Sequence, residues 1–125
     1  MPIWQKGLKK KPSGGRLHQS VKKHKREMGR YPIETTMGER SVKRQRVRGG
    51  NIKNKLYHDQ FVNVTDGATT KRVKIQDVIE NPSNKDLNRR KVITRNTLLK
   101  TELGKVRVTS RPGQVAVING VLVKE

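Results

Sequence analysis

The chain of 125 residues contains no cysteine, four aromatic residues and no long hydrophobic run. Without cysteine the fold has no disulfide, and no metal or redox centre has a thiolate ligand. The longest uninterrupted apolar stretch, residues 115–118, is far shorter than the roughly 20 residues that a membrane-spanning helix needs. The N-terminal segment lacks the apolar centre of a secretory signal peptide. These absences predict a cytosolic protein that has a small core.

Sequence motifs of catalysis are also missing. The chain has no phosphate-binding loop of the Walker type, no Gly-x-Gly-x-x-Gly fingerprint and no Gly-x-Ser-x-Gly elbow. His18, His24 and His58 lie in basic, polar segments whose spacing does not suit a metal site, and they either contact phosphate or face solvent. Asp77 and Glu80 are predicted to form ion pairs with the surplus cations. We therefore predict no catalytic activity, no metal and no cofactor.

Charge dominates what the sequence does contain. Thirty lysines and arginines oppose ten acidic residues, which gives a net charge of +20. Residues 1–58 carry a net charge of +14 and residues 59–125 carry +6, whereas the hydrophobic fraction rises from 26% to 34%. The first part buries too little apolar surface to offset an ordering cost of roughly 1–2 kcal/mol per residue. Self-repulsion at this charge density predicts a polyanionic partner that orders a basic arm.

The arm is predicted to be irregular. Residues 12–15 have the composition of a turn. The basic run at residues 22–26 predicts a short helix once its charge is neutralised, and the glycine and proline that follow limit this helix to about residues 19–28. We place the arm at residues 1–40 and a β-rich body at residues 41–125.

The body contains short segments with the alternation of β-strands, and the whole chain has 14 valines. The strand-like segments are residues 41–48, 52–57, 61–64, 71–75, 92–94, 98–101 and 105–109. Turn sequences at residues 49–51 and 65–69 predict two hairpins. In the second strand of the first hairpin, alternation separates two sets of side chains. These sets are Ile52, Asn54 and Leu56 on one face and Lys53, Lys55 and Tyr57 on the other.

Three further segments give local predictions. Ser83 is positioned to cap a single helical turn. Residues 110–113 have proline and glycine in the order of a type II turn. Residues 115–123 form either a hairpin at Asn119-Gly120 or one bulged strand. Because closure of a small sheet removes exposed edges, the sequence predicts a mainly β protein: a small antiparallel β-barrel with a long, irregular basic N-terminal arm.

The distribution of glycines and aromatics favours RNA as the polyanion. Two glycine pairs are flanked by arginines, which suits either a close approach of the backbone to phosphates or an ordinary tight turn. Trp4 is interpreted as stacking on an unpaired base, docking on a neighbouring protein or folding back onto the barrel, and Phe61 is predicted to be core. The chain has no leucine zipper, zinc finger or helix-turn-helix motif. An irregular basic arm suits folded RNA better than a DNA groove.

The predicted RNA-binding residues lie in the arm and in the first hairpin. They are Trp4, Lys9, Lys10, Lys11, Gly14, Gly15, Arg16, Lys22, Lys23, His24, Lys25, Arg26, Arg30, Arg44, Arg46, Arg48, Gly49, Gly50, Lys53 and Lys55. The alternative is a DNA-compacting protein of the chromatin type. Two further alternatives are a small nuclease or RNA-modifying enzyme and a protein that adheres to anionic membranes.

Several motifs, taken together and in order, carry a resemblance to a known family. They are Trp4-Gln5 and residues 11–16, 22–26, 29–30, 34–35, 38–39, 46–51, 63–66, 78–84, 101–104 and 108–114. Along nearly its whole length the chain resembles the family of small-subunit ribosomal protein eight of the archaeal and eukaryotic type. Its compact length, without the long insertion of eukaryotic members, is similar to that of archaeal ones.

The resemblance implies a structural protein of the small ribosomal subunit that binds rRNA and adjoins other ribosomal proteins. It also implies a β-barrel body whose arm is laid into RNA, with no cofactor and no catalysis. Ser13 stands where threonine is commoner in the family, and Gly7-Leu8 interrupts a stretch that is usually more basic. These two departures leave the individual contacts of the arm open.

Overall fold

The computed structural model describes residues 3–5, 10–18 and 22–123. The chain divides into two compact units, Met1–Pro32 and Ile33–Glu125. The predicted arm of residues 1–40 therefore spans the first unit and the beginning of the second. Of the predicted RNA-binding residues, Lys9 lies outside the described residues.

The first unit contains two short strands, β1 (Ile3–Trp4) and β2 (Met28–Gly29), which pair antiparallel. The turn predicted at residues 12–15 is present, since the N–H of Gly14 donates to the C=O of Lys11 over 2.9 Å. The helix predicted within residues 19–28 is reduced to a single 3-10 turn at Lys25–Glu27. The consecutive cations beside it are exposed and repel one another, which disfavours a longer helix.

The second unit begins with a three-stranded sheet in the order β3-β5-β4. Its strands are β3 (Thr36–Met37), β4 (Ser41–Arg46) and β5 (Ile52–Asp59). The antiparallel pairing of β4 with β5 confirms the first predicted hairpin, and a 3-10 turn at Arg48–Gly50 joins the two strands. β3 runs parallel to β5.

The rest of the second unit is a closed barrel whose strands follow the order β10-β6-β7-β8-β9. The strands are β6 (Phe61–Asp66), β7 (Thr69–Glu80), β8 (Leu98–Thr101), β9 (Gly104–Val108) and β10 (Asn119–Leu122). Helix α1 (Lys85–Arg89) follows β7, and α2 (Pro112–Val115) follows β9. The predicted β-barrel is confirmed. It is not wholly antiparallel, because β10 closes it by pairing parallel with β6 and antiparallel with β9.

Alternation along the barrel strands places small aliphatic side chains inside. Val106 and Val108 of β9 are fully buried, whereas Lys105 and Arg107 are exposed, as the alternating pattern predicts. Leu56 of β5 is also fully buried and belongs to the same hydrophobic cluster. The hairpin is therefore anchored to the barrel by its C-terminal strand.

Phe61 is not a core residue, so that prediction was wrong. Its side chain is 39% exposed, because Val62 and Val64 occupy the inward positions of β6 and the period of two turns Phe61 outward. The guanidinium carbon of Arg72 lies 4.4 Å from the centroid of the ring. The ring therefore belongs to the outer surface of the barrel.

The two short helices differ from the local predictions. The N-cap of α1 is Asn84, whose side chain accepts from the N–H of Asp86 over 2.9 Å. Ser83 is not the cap, because its N–H donates to Oδ1 of Asn81 and the helix starts one residue later. Pro112 opens α2 where a type II turn was predicted. Proline suits the first helical position because its fixed φ is already helical and its missing N–H has no partner there.

The end of the chain forms neither the predicted hairpin nor the predicted bulge. Asn119 and Gly120 both lie within β10, and the backbone takes the left-handed conformation earlier, at Ala116 with φ +56°. Packing explains the glycine, since a Cβ at position 120 would lie 2.4 Å from Cγ1 of Val106 and 2.9 Å from the carbonyl oxygen of Arg107. The Asn-Gly pair thus permits a close approach of β9 rather than a turn. The strand predicted at residues 92–94 is reduced to one bridge, between Ile93 and Thr35.

Candidate nucleic-acid interface

The register of the β4–β5 hairpin determines which cations share a face. Lys43 lies opposite Lys55, and Gln45 lies opposite Lys53. Directly opposed residues of an antiparallel pair project from the same side of the sheet, so the three lysines form one basic face. Nζ of Lys43 also lies 5.9 Å from the ring centroid of Tyr57. The predicted grouping of Lys53, Lys55 and Tyr57 on one face is consistent with this register.

The other face of the hairpin carries arginines as well. Arg44 lies opposite Asn54, Arg46 opposite Ile52 and Val42 opposite Leu56. Ile52 is 65% exposed, whereas Leu56 is fully buried. The hairpin therefore changes along its length from a base packed on the barrel core to a tip that is open on both faces.

Hydrogen bonds fix the base of the hairpin. Oγ1 of Thr35, which is itself buried, donates to the C=O of Leu56 over 2.8 Å. Oγ1 of Thr36 lies 2.8 Å from Nδ1 of His58, so this histidine has a hydroxyl partner in the neighbouring strand. These two contacts tie the base of the hairpin to residues 35 and 36.

The turn between the two strands uses glycine for its conformation. Gly49 and Gly50 have φ values of +73° and +77°, which side chains with a Cβ rarely adopt. The N–H of Val47 donates to the C=O of Asn51 over 2.8 Å and closes the turn. The glycine pair therefore forms a tight turn that carries Arg48 at the tip of the hairpin, and the close approach of Gly49 and Gly50 to phosphate stays a prediction.

In the first unit, the turn at residues 12–15 brings cations together. Lys10 and Arg16 form a bridge across it, and the N–H of Lys11 donates to the C=O of Gly15 over 2.8 Å. Gly14 has φ +84° and open space around the position of a Cβ. Three cations separated by up to six positions in sequence thus lie at one turn.

The basic run of the first unit lies beside Trp4. This tryptophan pairs through its backbone with Met28, and Nζ of Lys23 lies 5.6 Å from its ring centroid. Lys22, Lys23, His24, Lys25, Arg26 and Arg30 are all exposed. Trp4 is half-buried. Its ring therefore packs beside Lys23 and is not fully exposed, as it would be in an extended arm.

The ion pairs of the second unit involve a separate set of cations. They join Arg89 and Arg90 to Asp86, Arg90 to Glu34, Lys91 to Asp77 and Arg40 to Asp59. Within the described ranges, no carboxylate forms an ion pair with Lys43, Arg44, Lys53 or Lys55. These four side chains therefore keep their positive charge, whereas the surroundings of α1 are largely neutralised.

The prediction that Asp77 is an ion-pair partner is confirmed. Nζ of Lys91 donates to Oδ1 of Asp77 over 2.6 Å, and the N–H of Val78 donates to the same oxygen. These hydrogen bonds, with the charges of Lys91 and Lys100, hold the pKa of Asp77 below its ordinary value despite a smaller opposing effect of burial. Glu80 forms no ion pair with any residue that the structure describes, so its predicted pairing was wrong.

Comparison with known proteins identifies the family. The family model described as "Ribosomal protein S8e" matches residues 4–123. The chain belongs to the ribosomal protein S8e family. Family membership agrees with the motifs along the chain and gives the chain the structural role of a ribosomal protein.

Three archaeal relatives are similar to this S8e chain over most of its length, and each is named small ribosomal subunit protein eS8. The protein of Nanoarchaeum equitans is 50% identical over 113 residues, which cover 88% of this chain and 89% of the relative. The protein of Methanococcus aeolicus is 44% identical and that of Methanococcus vannielii 46% identical, in both cases over the full length of both chains.

Sequence reasoning missed one cation of this S8e hairpin. Lys43 was not among the predicted RNA-binding residues, yet it lies opposite Lys55. The signal was the alternation of β4, but the partner of each β4 residue depends on the register, which the local pattern leaves open. In the described part of the chain, no group of three or more acidic, histidine or cysteine side chains could hold a metal ion. No helix found there is long and apolar enough to cross a membrane.

Proposed function

We propose that this chain is a structural constituent of the small ribosomal subunit in the cytoplasm, where it binds rRNA through the β4–β5 hairpin and the basic arm. The relatives named small ribosomal subunit protein eS8 support incorporation into the small subunit. The hairpin supports the contact with RNA. Neighbouring ribosomal proteins are further partners in this proposal.

One observation carries the proposal: Lys43 lies directly opposite Lys55 in a hairpin whose base is hydrogen-bonded and packed on the barrel core. Like charges that oppose each other across two strands destabilise the pairing. A polyanion along this face would neutralise both ammonium groups at once and remove the repulsion. The arrangement is therefore unfavourable in the isolated protein and favourable beside a phosphate backbone.

The two faces of the tip suit different parts of an RNA fold. Lysines dominate one face, and each acts as a compact point charge on a flexible stem. Arg44 and Arg46 lie on the other face, where planar guanidinium groups can bind phosphates with two parallel hydrogen bonds. A tip that carries cations on both faces fits between two RNA segments.

The basic arm would add contacts that depend on its local turns. The turn at residues 12–15 presents Lys10, Lys11 and Arg16 together, and residues 22–26 present four exposed lysines and arginines around one histidine. Each neutralised phosphate releases condensed counterions. If about ten cations engage phosphates, log K should fall against log salt with a slope of about −7 to −9.

The test is a full-length chain with Arg46→Glu and Arg48→Glu together, tagged and followed through sedimentation of small ribosomal subunits. We expect the variant to be absent from the subunit fraction while its barrel stays folded. A matched control with Arg95→Glu and Arg107→Glu changes the net charge equally at two exposed positions of the body. Crosslinking followed by sequencing of the bound RNA identifies the ligand.

Two results would contradict this proposal. Normal incorporation of the hairpin variant would show that the hairpin does not hold the protein in the subunit. Equal affinity of the unaltered chain for duplex DNA and for structured RNA at moderate salt would favour the DNA-compacting alternative.

A further inference from the structure

The outer surface of the barrel contains an aromatic cleft, and its described lining residues include none of the three lysines of the basic face. Phe61 of β6 is 39% exposed, and the guanidinium carbon of Arg72 on β7 lies 4.4 Å from its ring centroid. The cleft beside them has a volume of about 330 Å³. This volume is at the small end of the roughly 300–1,000 Å³ range of ligand pockets, so it suits one planar ring system rather than a folded ligand.

The side-chain amide of Asn63 lines the same cleft, and the amide of Asn119 is hydrogen-bonded to it. Asn63 lies opposite Arg72 in the β6–β7 ladder and opposite Asn119 in the β6–β10 ladder. Nδ2 of Asn63 donates to Oδ1 of Asn119 over 3.0 Å. Because an amide side chain carries an acceptor and two donors, this bond leaves the carbonyl of Asn63 and the NH₂ of Asn119 to hydrogen-bond a ligand.

The charge of the cleft is positive towards solvent. Arg72, which lines the cleft, lies opposite Asn63, and Lys74 lies two pairs further along, opposite Phe61. Among the described lining residues, Asp59 is the one carboxylate, and it is buried at 2% exposure. Its oxygens accept from Nη1 of Arg40 and from the backbone N–H groups of Gln60 and Phe61. It therefore offers no exposed negative charge to repel an anion.

We propose that this cleft binds one unpaired nucleotide of single-stranded RNA. The base stacks against Phe61 and the guanidinium of Arg72, since bases stack on both aromatic rings and guanidinium planes. Asn63 and Asn119 hydrogen-bond the polar edge of the base, and Lys74 binds a neighbouring phosphate. Arg40 is a positioning residue, because its bond to Asp59 holds the start of β6.

Charge and shape select this occupant. The exposed ring and the stacked guanidinium match the face of a base, the two amides match its polar edge, and the lysine matches a neighbouring phosphate. The inference rests on the proposed function only in that the ligand is RNA. It uses stacking on Phe61 and Arg72, whereas the hairpin uses phosphate contacts.

The test measures binding of the full-length chain to a short fluorescent single-stranded RNA and to a blunt RNA duplex, by fluorescence anisotropy. We expect Phe61→Ala to weaken binding of the single strand by about 5- to 100-fold and to leave duplex affinity close to that of the unaltered chain. The salt slope should not change, because no phosphate contact is lost. Phe61→Tyr should retain the affinity.

A matched control is Ile79→Ala, which shortens an apolar side chain of similar exposure, 43%, on the neighbouring strand β7. Circular dichroism and thermal unfolding check that each variant folds. Photo-crosslinking of thiouridine-containing RNA to the unaltered chain needs no substitution, and it should mark the peptide that contains Phe61.

The proposal is overturned if Phe61→Ala and Ile79→Ala bind the single strand equally, or if crosslinks avoid the Phe61 peptide. Unchanged RNA affinity in Phe61→Ala would also overturn the proposal, and it would favour a protein segment as the occupant of the cleft. The two proposals fail separately. If the Arg46→Glu, Arg48→Glu chain loses RNA binding and Phe61→Ala binds fully, only the nucleotide site is refuted. If Phe61→Ala loses binding of the single strand and the Arg46→Glu, Arg48→Glu chain binds fully, only the RNA contact of the hairpin is refuted.

Discussion

Nη1 of Arg40 donates to Oδ2 of Asp59 over 2.6 Å, and this pair ties the loop before β4 to the junction of β5 and β6. The Asp59 side chain is 3% exposed, whereas that of Arg40 is 48% exposed. Oδ1 of Asp59 accepts from the N–H groups of Gln60 and Phe61 over 2.8 and 3.1 Å. One buried carboxylate therefore satisfies both an arginine and the backbone that turns the chain into the barrel.

Replacement of this carboxylate should destabilise the second unit. We expect Asp59→Ala to lower the free energy of unfolding by about 2–4 kcal/mol, since it removes a charged hydrogen bond and leaves two part-buried N–H groups without their acceptor. Asp59→Asn should cost less, because its amide oxygen still accepts from the backbone. Urea unfolding measures both variants. Equal losses in the two variants would show that the backbone hydrogen bonds contribute nothing.

The close approach of β9 and β10 gives a second prediction. Gly120→Ala should destabilise the barrel by about 1–3 kcal/mol, because overpacking forces neighbouring atoms apart and the new Cβ meets backbone as well as Val106. The control is Gly113→Ala in α2, where the nearest atom is 3.7 Å away and alanine favours helix by roughly 1 kcal/mol. Thermal unfolding compares them, and a Gly120→Ala protein as stable as the control would contradict the packing argument.

The sequence predicted the elements that local patterns determine. Strict alternation around Val106 and Val108 identified β9 and its inward face, and the glycine pair at 49–50 identified the first hairpin. It did not identify contacts between distant segments. The parallel pairing of Gly120 with Val64 joins residues 56 positions apart. This pairing could not be predicted, because an Asn-Gly dipeptide considered with its neighbours alone indicates a turn.

Some parts of the candidate site could be predicted from the sequence, and others could not. Charge and glycine content identified the arm and the hairpin, because both are visible in composition alone. The outward position of Phe61 was missed because a period of two does not tell which of two faces is buried until the partner strands are known. For the same reason Lys43, opposite Lys55, could not be ranked above the other cations of β4.

The pair of Asp77 and Lys91 predicts a dependence of stability on pH. The pKa of Asp77 is lowered from its ordinary value of 3.8, so the folded state binds fewer protons than the unfolded state just below that value. The stabilisation by charged Asp77 is therefore complete above about pH 4 and is lost as the pH falls through the folded-state pKa.

Lys91→Met should return the pKa of Asp77 towards its ordinary value, because it removes the hydrogen bond that lowers the pKa most. Carboxyl carbon NMR titration measures this change directly, and urea unfolding at several acidic pH values measures its effect on stability. Lys85→Met is the control, since it removes an exposed cation at the start of α1. An Asp77 titration that shifts equally in both variants would attribute the effect to general charge.

The opposed lysines of the hairpin predict opposite effects on stability and on binding. Lys55→Glu replaces a like-charge pair with an ion pair facing Lys43, and such a change contributes roughly 0.2–1 kcal/mol to the pairing of two strands. We expect the isolated protein to become more stable to urea. Affinity for RNA should fall, and the salt slope should become shallower by about one contact.

Lys71→Glu separates this pairing effect from the relief of net charge. Lys71 is an exposed residue of β7 that lies opposite Val64, so its reversal lowers the net charge equally without making a new cross-strand ion pair. If Lys71→Glu stabilises the chain as much as Lys55→Glu does, long-range repulsion explains the gain and the opposed lysines have no special role. If only Lys55→Glu stabilises while it also weakens binding, the hairpin carries a charge arrangement that opposes its own folding and favours its ligand.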